Sequence, residues 1–247
     1  MNGCIRGLAM GAALGIATIS LSITIPANAG AAKRAGALPA AERKALERTL
    51  TKALDALPAP GKAFHEDRAS RSREIAPGTS AWAVATKAPA EARAVRVYEG
   101  KIGPEADDDA EVVGLEIRVY LNLERALPEP LGSEGGGMET FTHDGLPGMR
   151  ASLAGVAPGR LALPLTPDEE ANSLTVVRLH VGAAEIEPYL LEIAQGRRPV
   201  RTPWDSGAAR KASEVRTIVV EFYGPRGEVD RLVKATQAAP LRALLTP

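Results

Sequence analysis

Histidine and aspartate are the residues of this chain best suited to metal or acid–base chemistry. The three histidines, His65, His143 and His180, belong to no HExxH or H-x-x-E-H motif. Neighbouring residues of an extended strand point in opposite directions, so His143 and Asp144 do not form a site by themselves. A metal centre would require the fold to bring distant residues together. The candidate ligands for such a centre are Asp107, Asp108, Asp109, His143, Asp144 and His180.

The acidic segment EADDDAE at 105–111 stands between two strand patterns. Calcium takes about six to eight oxygen ligands from a shaped loop, and three adjacent aspartates do not supply that arrangement. The segment therefore favours a solvated loop tip that protects a strand edge, and no cofactor is predicted.

Motifs of nucleophilic and nucleotide-dependent enzymes are missing from the sequence. It contains no G-x-S-x-G, no S-x-x-K, no P-loop and no G-x-G-x-x-G, and its single cysteine is Cys4. The sequence therefore identifies no catalytic residue.

A basic loop around one tryptophan is the main candidate for binding. Its residues are Arg197, Arg198, Arg201, Trp204, Arg210 and Lys211. Such a cluster suits an anionic envelope polymer, a lipid headgroup or an acidic protein. The alternative is an exposed linker whose Trp204 packs into the core.

The N-terminus has the three-part plan of a secretory signal peptide. Arg6 precedes an uncharged apolar run that ends at Pro26, and Ala27-Asn28-Ala29 supplies a cleavage site after Ala29. The alternative is a retained membrane anchor. Cleavage at this site predicts a cysteine-free mature chain, periplasmic or secreted, with no transmembrane segment.

The charge balance argues against nucleic acid as a partner. The 30 basic and 30 acidic residues give a formal net charge of zero, and aromatic residues make up 4% of the chain. The expected partner is instead an envelope protein or an anionic envelope ligand.

Two periodic segments indicate the elements. Residues 39–57 have apolar side chains on one helical face, which predicts an amphipathic helix. Such a helix either packs on its own domain or serves as a partner-binding or membrane-surface helix. Strict alternation of apolar and polar residues in EVVGLEIRVYLNLE, 111–124, predicts a strand with one buried and one solvent-exposed face, typical of an antiparallel sheet. Asp144-Gly145 favours a hairpin turn. His180 alternates with the apolar residues of its strand and lies on the same side as Arg178, so it is expected to be exposed.

The sequence predicts an α+β fold, with an antiparallel sheet, an N-terminal helix and two C-terminal helices, one after Gly182 and one after Gly224, packed on one face. The expected organisation is a signal peptide at 1–29, a flexible segment at 30–38 and one domain at 39–247, with exposed loops at 58–79, 125–137 and 196–215. The predicted function is a non-catalytic envelope or secreted binding module. The alternative is a metal-assisted hydrolase in the same compartment.

Overall fold

The computed structural model describes residues 38–76, 89–102, 111–122, 138–152, 173–182 and 211–246. These form three helices and seven strands. The helices are α1 (Ala40–Asp55), α2 (Arg226–Ala235) and α3 (Ala238–Arg242). The strands are β1 (Phe64–Ala76), β2 (Glu91–Ile102), β3 (Glu111–Leu121), β4 (Met138–His143), β5 (Leu146–Ser152), β6 (Leu174–Val181) and β7 (Ile218–Pro225).

The seven strands make one sheet in the order β1-β2-β3-β7-β6-β5-β4. Every neighbouring pair is antiparallel. Two three-stranded meanders, β1 to β3 and β4 to β6, therefore flank β7, which enters the sheet last and joins them at the centre. The antiparallel sheet predicted from the alternation in 111–124 is confirmed.

Helix α1 forms because its apolar residues recur at helical spacing. Leu46, Leu50, Ala53 and Leu54 are buried, while the charged side chains lie elsewhere on the helix. They join the core that the sheet contributes from one face, which includes Val119 of β3. The helix thus packs on its own domain, as one of the two interpretations of 39–57 predicted.

The C-terminal helices cover the same face of the sheet. Leu232 of α2 and Leu241 of α3 are fully buried in the core with Val220 of β7 and Leu179 of β6. The α+β arrangement with one N-terminal and two C-terminal helices on one face is therefore confirmed. The helical segment expected after Gly182 lies outside the described residues.

Asp144 and Gly145 close the hairpin between β4 and β5. Both have left-handed backbones, with φ of 48° and 68°, as a two-residue hairpin turn requires. The Asp144 carboxylate also accepts a hydrogen bond from the backbone N–H of Ala238, at 2.7 Å, where α3 begins. The predicted turn is confirmed, and it also fixes the last helix.

Replacing Asp144 by alanine is expected to lower the free energy of unfolding by about 1–2 kcal/mol, because the hydrogen bond is lost and alanine disfavours a left-handed backbone. Urea unfolding measures this change. Asp144→Asn is the control, since asparagine tolerates the backbone and retains an acceptor oxygen. Equal losses in the two variants would contradict this explanation.

One loop prediction is wrong in part. Residues 58–79 were expected to form an exposed connection, but β1 occupies Phe64–Ala76 within that range. Its side chains are largely exposed because it is an edge strand, with β2 as its partner and a register shift between Asp67 and Ser72. Alternation is lost there because an edge strand with a bulge has little to bury.

Several predicted segments lie outside the described residues. These are the signal peptide at 1–29, the loop at 125–137, all of 30–38 except Leu38, and the part of 196–215 before Lys211. In the described ranges, no helix has the length and apolarity needed to cross a bilayer.

Candidate functional site

A row of paired residues crosses the sheet on the face opposite the three described helices, which we call the helix-free face because no helix of the described residues packs on it. Val95, Arg118, Glu221, Arg178 and Met149 follow one another on β2, β3, β7, β6 and β5. Directly paired residues of antiparallel strands project to the same side. Arg118, Glu221 and Arg178 therefore stand next to one another at the centre of this face, and we call these three residues the charged row.

Glu221 is the middle of this charged row and is only 1% exposed. Arg118 Nη1 donates to its Oε1 at 2.8 Å, and Arg178 Nε donates to its Oε2 at 2.5 Å. Arg178 Nη2 also contacts the same Oε2, and the Tyr120 hydroxyl lies 3.4 Å from Oε1. Burying a carboxylate is costly unless opposite charges and hydrogen bonds compensate it, and the two arginines provide both here.

Arg118 bridges this buried carboxylate and a second, more accessible one. Its Nε and Nη2 atoms donate to Glu116 Oε2 at 2.8 and 2.5 Å. The side chains of Arg118 and Glu116 are each 27% exposed, and the Tyr223 ring centroid is 6.0 Å from the guanidinium carbon. Burial alone lowers the pKa of Arg118, but the charges of Glu221 and Glu116 outweigh it and raise that pKa above its usual value.

Tyr120 keeps its proton next to this network. Burial is the main cause that raises the pKa of its phenol, and the Glu221 carboxylate raises it further, while Arg118 and Arg178 oppose the shift. The hydroxyl is therefore a donor toward Glu221 rather than a base.

His180 lies on the helix-free face, two residues from Arg178. It is 2% exposed, and among the described residues neither ring nitrogen has a hydrogen-bond partner. Burial, and then the positive charge of Arg178, lower its pKa to about 3, so the ring is neutral at pH 7. The expectation that His180 is exposed is wrong, because β6 is buried on both faces.

The other two metal candidates with described positions serve the backbone on the helix-covered face. His143 Nε2 donates to the Thr236 carbonyl at 2.9 Å, and Asp144 accepts from Ala238. His143 pairs with Leu146, whose side chain is in the helix-covered core, so His143 and His180 lie on opposite faces of the sheet. In the ranges the structure describes, no three histidine, aspartate or glutamate side chains meet as a metal site would require.

Most of the basic-loop candidates lie outside the described residues. Lys211 is exposed, whereas Arg197, Arg198, Arg201, Trp204 and Arg210 lie outside the described residues, as do Asp107, Asp108 and Asp109. The basic-loop and acidic-loop hypotheses remain predictions from the sequence.

The charged row was not predicted from the sequence as a unit. A signal for it exists, because Glu221 interrupts the otherwise apolar run TIVVEFYG and Arg178 occurs in a similar strand, LTVVRLHV. A lone charge within a strand that is apolar on both sides is costly unless an opposite charge meets it. What the sequence does not supply is the register that brings Glu221 between Arg178 and Arg118.

The chain was compared with protein-family models, with curated proteins and with solved structures, and none of the three comparisons gave a match.

Proposed function

We propose that this chain is an exported, non-catalytic binding module that holds an anionic ligand on the helix-free face, with Arg118 as the receptor group. The observation that carries the proposal is the position of Arg118. It stands at the centre of that face, half-buried, and is tied at Nη1 to the buried Glu221.

Fixed orientation is what makes an arginine an effective anion receptor. A guanidinium presents a planar set of donors that match a carboxylate or phosphate, and holding it in advance reduces the entropy lost on binding. In this chain the Glu221 contact and the nearby Tyr223 ring restrict Arg118 before any ligand arrives.

The chemistry of the face favours binding over proton transfer. Glu116 and the three charged residues at its centre are engaged in opposite-charge pairs, and Tyr120 keeps its proton. His180 is neutral, and within the described part of the chain no carboxylate or hydroxyl is hydrogen-bonded to its ring. In a histidine general base, such a neighbour orients the ring and stabilises the charged form that proton abstraction creates.

Export is the second part of the proposal, and the N-terminal sequence supports it. Arg6, the apolar run and Ala27-Asn28-Ala29 provide the parts of a cleavable signal. The ligand would then be an anionic component met in the periplasm or outside the cell, either free or borne by an envelope protein.

The binding proposal predicts ligand-dependent stabilisation. Thermal unfolding of the purified chain is measured at constant ionic strength with chloride, phosphate, benzoate or uncharged benzamide. At least one of phosphate and benzoate is expected to stabilise the chain beyond chloride, by about 1.4 kcal/mol at ten times its dissociation constant. Benzamide is expected to have no effect.

Two variants locate the effect. Arg118→Lys keeps a positive charge opposite Glu221 but lacks the planar donor fork, so it should lose most of the stabilisation. Arg93→Gln is the control, since Arg93 lies on the same face but its guanidinium forms a salt bridge with the exposed Glu74. The proposal fails if neither anion exceeds chloride, or if Arg118→Lys responds as the wild type does.

A further inference from the structure

We infer that the ligand of Arg118 is an organic carboxylate and that Glu116 occupies the ligand's place in the free protein. The inference rests on the proposed function and deepens it, because it names the ligand's chemical class and a built-in competitor. It follows from a difference between the two carboxylates that Arg118 contacts.

The two carboxylates differ in how easily each can leave. Glu221 has a side chain 2% exposed and is also held by Arg178, so releasing it would leave buried charges without partners. Glu116 has a side chain 27% exposed, and swinging it toward water leaves no buried carboxylate behind. Glu116 is therefore the exchangeable partner and Glu221 the permanent one.

The edge of Arg118 that Glu116 occupies is the one suited to a ligand carboxylate. Both Nε and Nη2 of Arg118 donate to the same atom, Glu116 Oε2. A free carboxylate can instead set one oxygen opposite each nitrogen, in two parallel hydrogen bonds that are stronger and more specific than the shared contact. A ligand carboxylate can thus replace Glu116 and form the better-aligned pair of hydrogen bonds with Arg118.

The surroundings of this edge suit an apolar body attached to the carboxylate. On β2, Val97 pairs with Glu116 and Val95 pairs with Arg118, and both valines are half-buried. The Tyr223 ring, also half-buried, is paired with Glu116 from β7. An aromatic or branched carboxylate would bury apolar surface against these three side chains, which inorganic phosphate would not.

The test is a benzoate titration of the wild-type chain, followed on the Nε–Hε resonance of Arg118 by NMR. The Glu116→Gln variant is expected to bind benzoate about fivefold more tightly than the wild type, since the internal competitor loses its charge. Glu99→Gln is the matched control, because Glu99 is an exposed glutamate on the same face, paired with Gly114. It should bind as the wild type does.

A peptide chain end and a free small carboxylate share this chemistry, and two further probes distinguish them. N-acetyl-phenylalanine and its amide are compared with benzoate on the Glu116→Gln variant. Tighter binding of N-acetyl-phenylalanine than of benzoate, lost in the amide, indicates a peptide C-terminus, whereas tighter benzoate binding indicates a small carboxylate. Equal binding of acid and amide overturns the inference.

Failure of the inference differs from failure of the proposed function. If benzoate moves the Arg118 resonance but binds wild type, Glu116→Gln and Glu99→Gln equally, Glu116 is not the occupant and the inference fails. If phosphate stabilises the chain and benzoate does not, the carboxylate assignment fails while the anion-binding function stands. If neither phosphate nor benzoate exceeds chloride, the proposed function itself fails.

Discussion

Replacing Glu221 by glutamine is expected to lower the free energy of unfolding by about 3–5 kcal/mol. Glutamine keeps the shape of the side chain but removes the charge that holds Arg178 and Arg118. Arg178 is only 7% exposed, so its guanidinium would lose a carboxylate partner in a place with little access to water. Urea unfolding at pH 7 measures the loss.

Glu116→Gln is the matched control for this prediction. It removes the same charge from the same arginine, but at a half-exposed position, and a loss below about 1 kcal/mol is expected. Similar losses in the two variants would contradict the distinction between a permanent and an exchangeable carboxylate.

Replacing His180 by leucine is expected to stabilise the chain, and increasingly so as the pH falls. At pH 7 the gain should be about 1–2 kcal/mol, because a buried polar ring without partners is removed. The folded-state pKa of His180 is about 3, against an ordinary value of 6.5. Between these values the unfolded chain binds a proton that the folded chain rejects, so the wild type loses stability as the pH falls.

The pH dependence separates this effect from ordinary repacking. The advantage of His180→Leu over the wild type should grow by roughly 1.4 kcal/mol for each unit below about pH 6.5, over the range where only the unfolded chain is protonated. His65→Leu is the control, since His65 is exposed on the edge strand and should show no such trend. A pH-independent difference between wild type and His180→Leu would show that the ring is not held neutral by burial.

The fold was predictable where one local pattern determined each element. The period of the apolar residues in α1, the alternation in β3 and the Asp144-Gly145 turn each follow from neighbouring residues, and the structure confirms them. Strand β1 was missed because it is an exposed edge strand, in which burial imposes little periodicity.

The charged row was not predictable because it depends on pairing between strands distant in the chain. Arg118 and Glu221 are 103 residues apart, and Arg178 and Glu221 are 43 apart. His180 was misplaced for a related reason. Its polar character was interpreted as exposure, whereas β6 lies inside the sheet and is buried on both faces.

The most direct test of the binding account is a crystal structure of the chain with 4-bromobenzoate, whose bromine is located by anomalous scattering. The account predicts a carboxylate within about 4 Å of the Arg118 Nε and Nη2 atoms, with the Glu116 side chain displaced and Glu221 still paired. Bromine located only near the basic residues 197–211, with Glu116 still hydrogen-bonded to Arg118, would contradict the account.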